Sequence, residues 1–202
     1  MNKIILISGF LGSGKTSFII KLIKYLSDNN IKTALIVNEV GEIGIDNQYM
    51  KQLGYDVWEL FGGCICCSLS SNLENTINEL NTNYKPEIVI IEPSGAAEPK
   101  MIFESLINCK IPKSNIENFL ILDPTRINML IEILSPLLNS SLDLCNTVIM
   151  NKIDIASKDE MKKCENLISE RNLNSFKLNL KTKLSNELKT YINTLLKEKE
   201  VK

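Results

Sequence analysis

Gly9-Phe10-Leu11-Gly12-Ser13-Gly14-Lys15-Thr16 constrains the fold of this chain more than any other stretch. It is a full G-x-x-x-x-G-K-[ST] pattern, and its surroundings are the ones that give the pattern meaning. A short apolar run, Lys3–Ser8, precedes it and reads as a buried strand. After it, Phe18, Ile19, Leu22, Ile23 and Leu26 recur at the spacing of one helix face, which predicts a helix over Lys15–Leu26. A strand that turns through glycines into a helix lets backbone N–H groups converge on phosphate oxygens with no Cβ in the way. The helix N-terminus adds partial positive charge. Lys15 then stands to neutralise the β- and γ-phosphates, and the Thr16 hydroxyl to ligate Mg²⁺. Gly9, Gly12, Ser13, Gly14 and Ser17 complete the expected cradle.

The same alternation continues along the chain. Thr33–Val37, Asp56–Leu60, Glu87–Ile91, Asn118–Leu122 and Thr147–Met150 read as further strands. Helical spacing falls between them near Asn72–Leu80, Pro99–Ile107, Ile127–Leu134 and Lys158–Ser169, and a closing helix is predicted over Leu184–Leu196. Continuous apolar strands that alternate with helices predict an α/β fold: a three-layer P-loop NTPase sandwich, its mostly parallel central sheet covered by helices on both faces. At about 100–200 residues per domain, residues 1–202 are expected to form one domain.

Composition narrows the chemistry. The chain contains no His, which excludes Ser-His-Asp and Cys-His nucleophile systems, imidazole metal sites and His general bases. Lys plus Arg is 23 and Asp plus Glu is 24, so a net charge of -1 gives no electrostatic footprint for nucleic acid or an anionic membrane. No apolar stretch approaches a membrane span, and the N-terminal apolar run leads into the glycine loop rather than a cleavage site. Six cysteines so unevenly placed do not make a secreted disulfide scaffold. A cytoplasmic location is expected.

Asn151-Lys152-Ile153-Asp154 follows the strand Thr147–Met150. A carboxylate only accepts hydrogen bonds, and guanine offers two adjacent donors where adenine does not, so Asp154 reads as the guanine selector. Asn151 and Lys152 then brace the loop and the base. Glu92 ends another apolar strand with Gly95 three positions later, the expected place for a carboxylate that holds Mg²⁺ through water and an amide near the γ-phosphate. Two segments remain: the acidic, glycine-containing Asn38–Asp46, and Gly62-Gly63-Cys64-Ile65-Cys66-Cys67. On a regular strand Cys64 and Cys66 share a face while Cys67 points away, so convergence of all three needs a bend. Three thiolates suit Zn²⁺ or Cu⁺, and an added carboxylate brings in Co²⁺ or Ni²⁺. Packing and thiol redox are the competing readings, although C-x-C-C lacks the C-x-x-C spacing of thioredoxin-like enzymes. Cys109, Cys145 and Cys164 read as inert thiols, and Trp58, Leu60 and Phe61 as core.

Taken in order, Gly9–Thr16, Asn38–Asp46, Gly63–Cys67, Glu92–Gly95 and Asn151–Asp154 resemble the CobW-like GTPases, relatives of the nickel-insertion GTPases of urease and hydrogenase. The resemblance implies GTP hydrolysis with Mg²⁺ and the formation of nucleotide-dependent homodimers. It also implies binding of a transition metal at Cys64, Cys66 and Cys67, with Zn²⁺ favoured over Co²⁺ and Ni²⁺, and delivery of metal or metallo-cofactor to a client protein. Where many relatives carry an acid before the Asn-Glu pair this chain has Val37, which leaves Glu39 or Glu42 as the fourth ligand. Glu42 and Asp46 are the candidates to orient the attacking water. Many relatives continue into a second domain; here the GTPase domain alone is expected. A regulatory GTPase that never carries metal, and a P-loop kinase in which Asn151–Asp154 is only a turn, are the alternatives.

Overall fold

The computed structural model describes residues 3–37, 57–59, 69–93 and 99–197. In chain order these form β1 (Lys3–Gly9), α1 (Lys15–Asp28), β2 (Thr33–Val37), β3 (Val57–Glu59) and α2 (Leu69–Glu79). Then come β4 (Ile88–Glu92), α3 (Pro99–Asn108), β5 (Ile116–Leu122), α4 (Ile127–Ile133) and α5 (Ser135–Leu144). The last described elements are β6 (Thr147–Met150), α6 (Lys158–Ser169), β7 (Asn174–Lys177) and α7 (Asn186–Lys197). The strands make one seven-stranded sheet in the order β3-β2-β4-β1-β5-β6-β7. Every pairing is parallel, so the expectation of a mostly parallel sheet sharpens to a wholly parallel one among the described strands.

Period-two alternation along buried strands sends side chains to opposite faces, and the core divides accordingly. Ile5 and Ile7 of β1 meet Phe18 and Leu22 of α1 and Leu188 and Ile192 of α7 on one face. Ile4 and Leu6 meet Leu73 and Ile77 of α2 and Ile102 and Leu106 of α3 on the other. Further along that second face, Leu120, Leu122, Val148 and Met150 pack under Leu130, Leu138, Leu142 and Ile168, contributed by α4, α5 and α6. Each such side chain contributes roughly 1.5–3 kcal/mol by leaving water. Truncating Leu22, which is completely buried, is expected to cost about 2–5 kcal/mol.

The sheet places the site. β1 lies beside β5, and the chain leaves β1 toward β2 on one side but leaves β5 toward β6 on the other, which makes the C-terminal ends of these two strands the topological switch point where open α/β sheets bind ligands. Two elements go beyond the sequence reading. β7 is short, polar and mostly exposed, and α5 buries only Leu138, Ser141 and Leu142 among its serines and asparagine. Trp58 lies in β3, while Leu60 and Phe61 lie outside the described residues. No helix among the described residues is long and apolar enough to cross a membrane.

Candidate nucleotide-binding site

The loop from β1 to α1 is shaped by glycines with positive φ. Gly9 (φ 147°) ends β1 so close to β5 that a Cβ would stand 2.5 Å from the Ile121 carbonyl. Gly14 (φ 105°, left-handed) is the N-cap of α1, and a Cβ there would collide with the Asn151 amide. Gly12 (φ 74°) is open by comparison. α1 has no side-chain cap, so its first amides remain for a ligand. The Ser13 hydroxyl is buried and has no hydrogen-bond partner among the described residues, which leaves one more donor inside the loop. Lys15 is buried at the first helical position, and its ammonium donates to the Phe10 carbonyl at 3.5 Å. Burial pushes the Lys15 pKa down, and the charge of Glu92 opposes that shift. This is a cationic, amide-rich cradle, and a polyphosphate fits that donor set. Thr16, half-buried in the first turn of α1, and Glu92, the last residue of β4, are the oxygen groups that would hold Mg²⁺. Ser17 is exposed on the same turn.

The second loop locks onto the first. Asn151 donates from Nδ2 to the Ser13 carbonyl (2.8 Å), and its Oδ1 accepts from the Leu180 N–H (3.1 Å). Lys152, at φ 60°, donates to the Gly12 carbonyl (2.8 Å) and to Asp123 Oδ2 (2.6 Å). The Asp154 carboxylate is exposed and accepts from Lys181 (3.1 Å); chiefly through that hydrogen bond, its pKa lies below the ordinary carboxylate value. An ionised, outward-facing carboxylate beside two braced residues can accept paired donors from a base edge.

Sequence reasoning missed four contributors. Asp123 and Arg126 flank the turn after β5, and Arg126 donates to the Leu11 carbonyl at 2.5 Å. Leu180 and Lys181 sit in a loop after β7 that rests against Asn151 and Asp154. A polar strand, β7, delivers that loop, and no motif announces it. Glu39, Glu42, Asp46, Cys64, Cys66, Cys67 and Gly95 lie outside the described residues. Among the described residues no cluster of His, Cys, Asp or Glu could hold a metal ion. Cys145 and Cys164 are buried thiols, each pushed up to about 12 by desolvation, as expected of inert cysteines.

A parallel sheet with a glycine-rich loop at its switch point, leading into a helix that opens on Lys-Thr, defines a P-loop nucleotide-binding fold. Residues 3–176 match the family described as "CobW/HypB/UreG, nucleotide-binding domain", and the chain belongs to that family. It is 42% identical over 106 residues to "Zinc chaperone YeiR" of Escherichia coli K12, a match covering 52% of this chain and 32% of that protein. It is 27% identical over 211 residues to "Zinc-regulated GTPase metalloprotein activator 1" of Dictyostelium discoideum, covering 82% of this chain and 43% of the relative. Thus the chain spans between a third and a half of these relatives' lengths. The hydrogenase maturation factor HypB of Archaeoglobus fulgidus superposes with a TM-score of 0.64 at 15% identity, over 96% of this chain and 90% of that one; this likeness shows the shared fold.

Proposed function

We propose that the chain binds and slowly hydrolyses GTP with Mg²⁺, and uses that cycle to bind and release a transition metal, zinc foremost, for a client protein. The observation that carries the nucleotide half is the physical union of the two loops. Asn151 and Lys152 hold the Ser13 and Gly12 carbonyls, so a base against Asp154 and a phosphate chain in the glycine loop would lie on one rigid support.

In this reading Lys15 is the cation for the β- and γ-phosphates. Its ammonium, buried near the Phe10 carbonyl and within the field of Glu92, gains a further anionic partner when a phosphate binds. Thr16 holds Mg²⁺ directly and Glu92 through water, while Gly95 lies near the γ-phosphate. Glu42 or Asp46 orients the attacking water. Turnover without a partner is slow, on the order of 10⁻⁴–10⁻² s⁻¹ as in GTPases awaiting an arginine or carrying one in cis.

The metal half rests on the zinc named in the relatives, on the thiol cluster, and on the sheet register. Val37 of β2 pairs with Glu59 of β3 on one side and Glu92 of β4 on the other. The C-terminal ends of β2, β3 and β4 therefore form one row of neighbouring strand ends. We assign Cys64, Cys66 and Cys67 as thiolate ligands, with Glu39 or Glu42 as the fourth. Cu⁺ is disfavoured by an added carboxylate, whereas Zn²⁺, Co²⁺ and Ni²⁺ accept it. A γ-phosphate that orders Asn38–Asp46 would then alter metal binding at the cysteines, and a coupling of about 1–3 kcal/mol changes metal affinity roughly 5–150-fold.

Competition between GTP and ATP tests the base assignment, and comparable affinities would refute it. Zinc affinity measured with a non-hydrolysable GTP analogue and with GDP tests the coupling, and equal affinities would end it. Replacing all three cysteines should abolish zinc binding and leave GTP binding intact.

A further inference from the structure

Three consecutive peptide units of the phosphate loop are held from outside by side chains. Arg126 donates to the Leu11 carbonyl (2.5 Å), Lys152 to the Gly12 carbonyl (2.8 Å) and Asn151 to the Ser13 carbonyl (2.8 Å). In a trans peptide the carbonyl and the following N–H point in opposite directions. Pinning these carbonyls toward the β5 and β6 loops therefore turns the N–H groups of Gly12, Ser13 and Gly14 toward the loop interior. The Ser13 N–H already points that way: it donates to the Phe10 carbonyl (3.1 Å), the same oxygen that Lys15 approaches.

Two of the three clamps share one organiser. Asp123 is 2% exposed, and its Oδ2 accepts from Lys152 (2.6 Å). Its Oδ1 accepts from the Thr125 N–H (3.1 Å) and hydroxyl (2.7 Å), capping the turn Pro124–Arg126 that presents Arg126. A buried carboxylate with three donors, one of them a cation, is fixed in place and fixes its partners. We propose that Asp123 is a positioning residue for the nucleotide: through Lys152 and the Arg126 turn it aims the phosphate-loop amides and ties that loop to the base loop. The proposal rests on the guanine-nucleotide reading of the site, and it deepens that reading without touching the reacting atoms.

Asp123→Asn keeps an acceptor for Thr125 but removes the charge that holds Lys152, so it separates positioning from capping. GDP–Mg²⁺ affinity by calorimetry should fall about tenfold, the loss of one charge-assisted hydrogen bond. Because Asp123 acts partly through Lys152, Asp123→Asn combined with Lys152→Ala should bind within about threefold of Lys152→Ala alone. Amide hydrogen exchange over residues 9–16, read on the nucleotide-free chain, should speed up in Asp123→Asn while α1 beyond residue 18 stays unchanged. Wild-type affinity in Asp123→Asn, fully multiplicative losses in the double variant, or unaltered loop exchange would each overturn the proposal. If the wild-type chain binds no guanine nucleotide, the functional reading falls, and the exchange measurement still decides the role of Asp123. Should Asp123→Asn fail to fold, the exposed Arg126→Ala carries the same exchange test, and unchanged exchange there refutes the clamp.

Discussion

Gly14→Ala compared with Gly12→Ala separates backbone strain from the disruption of the site. Both positions have positive φ, so alanine costs about 1–2 kcal/mol of backbone energy at either. They differ in what the new methyl meets. At position 12 the nearest group is the Arg126 guanidinium, 3.5 Å away on a flexible arm, and the methyl is accommodated. At position 14 it collides with the Asn151 amide, whose side chain spans the Ser13 carbonyl and the Leu180 N–H. Asn151 is 4% exposed, so displacing it strands buried polar groups at about 1–3 kcal/mol more. Expected destabilisation is therefore about 1–2 kcal/mol for Gly12→Ala and about 2–5 kcal/mol for Gly14→Ala. Urea unfolding monitored by circular dichroism measures both, provided the slopes match wild type. Losses equal within 0.5 kcal/mol, taking that margin as roughly the scatter of independent sites, would refute the claim that Asn151 fills the space over Gly14.

Asp154→Asn replaces one acceptor with a donor, so GTP affinity should fall at least about tenfold and xanthosine triphosphate should bind better than GTP; nucleotide competition checks this. Lys15 holds its proton less tightly in the folded chain than at its ordinary value of 10.5. Its penalty is full below the lowered pKa and is relieved as pH rises from there to 10.5, so stability gains with pH across that window. A bound phosphate reverses the shift, and GDP binding in the window should take up protons, measured by calorimetry in buffers of different ionisation enthalpy. Cys145 and Cys164, pushed up to about 12, carry thiolate in only about one molecule in ten thousand at pH 8. Iodoacetamide should leave both unmodified in the native chain by mass spectrometry, and rapid labelling of either contradicts their burial.

What was legible in the sequence was what is local. Lys3–Gly9 and Lys15–Asp28 declare themselves because a buried strand and an amphipathic helix each carry their own periodicity, with the phosphate motif spelled out between them. β7 escaped because Asn174-Ser-Phe-Lys177 is an exposed edge strand whose identity comes from pairing with β6 alone. α5 escaped because Pro136, Ser140 and Ser141 hide a face consisting of little more than Leu138 and Leu142. Glu92 falls at the end of its strand, as expected: β4 closes on it, in register with Val37, one residue beyond the predicted Glu87–Ile91. The two loops were readable as motifs, yet their partners Asp123, Arg126 and Lys181 are single polar residues in unremarkable turns. Only the fold brings Arg126 to Leu11 across 115 positions, or Lys181 to Asp154 across 27.

The docking of Asn151 and Lys152 onto the phosphate loop also has a consequence in time. Those contacts span 138 and 140 positions, and Leu180, which steadies Asn151, is rooted in the same core as Phe18 and Leu188. A nascent chain therefore emerges from the ribosome with its phosphate motif well before the parts that shape it. Until β6, β7 and the loop beyond have been synthesised and packed, the Gly12 and Ser13 carbonyls lack the Lys152 and Asn151 donors that hold them. Competence to hold nucleotide is thus expected only once that loop has packed, and before then the proposed guanine-nucleotide site is incomplete.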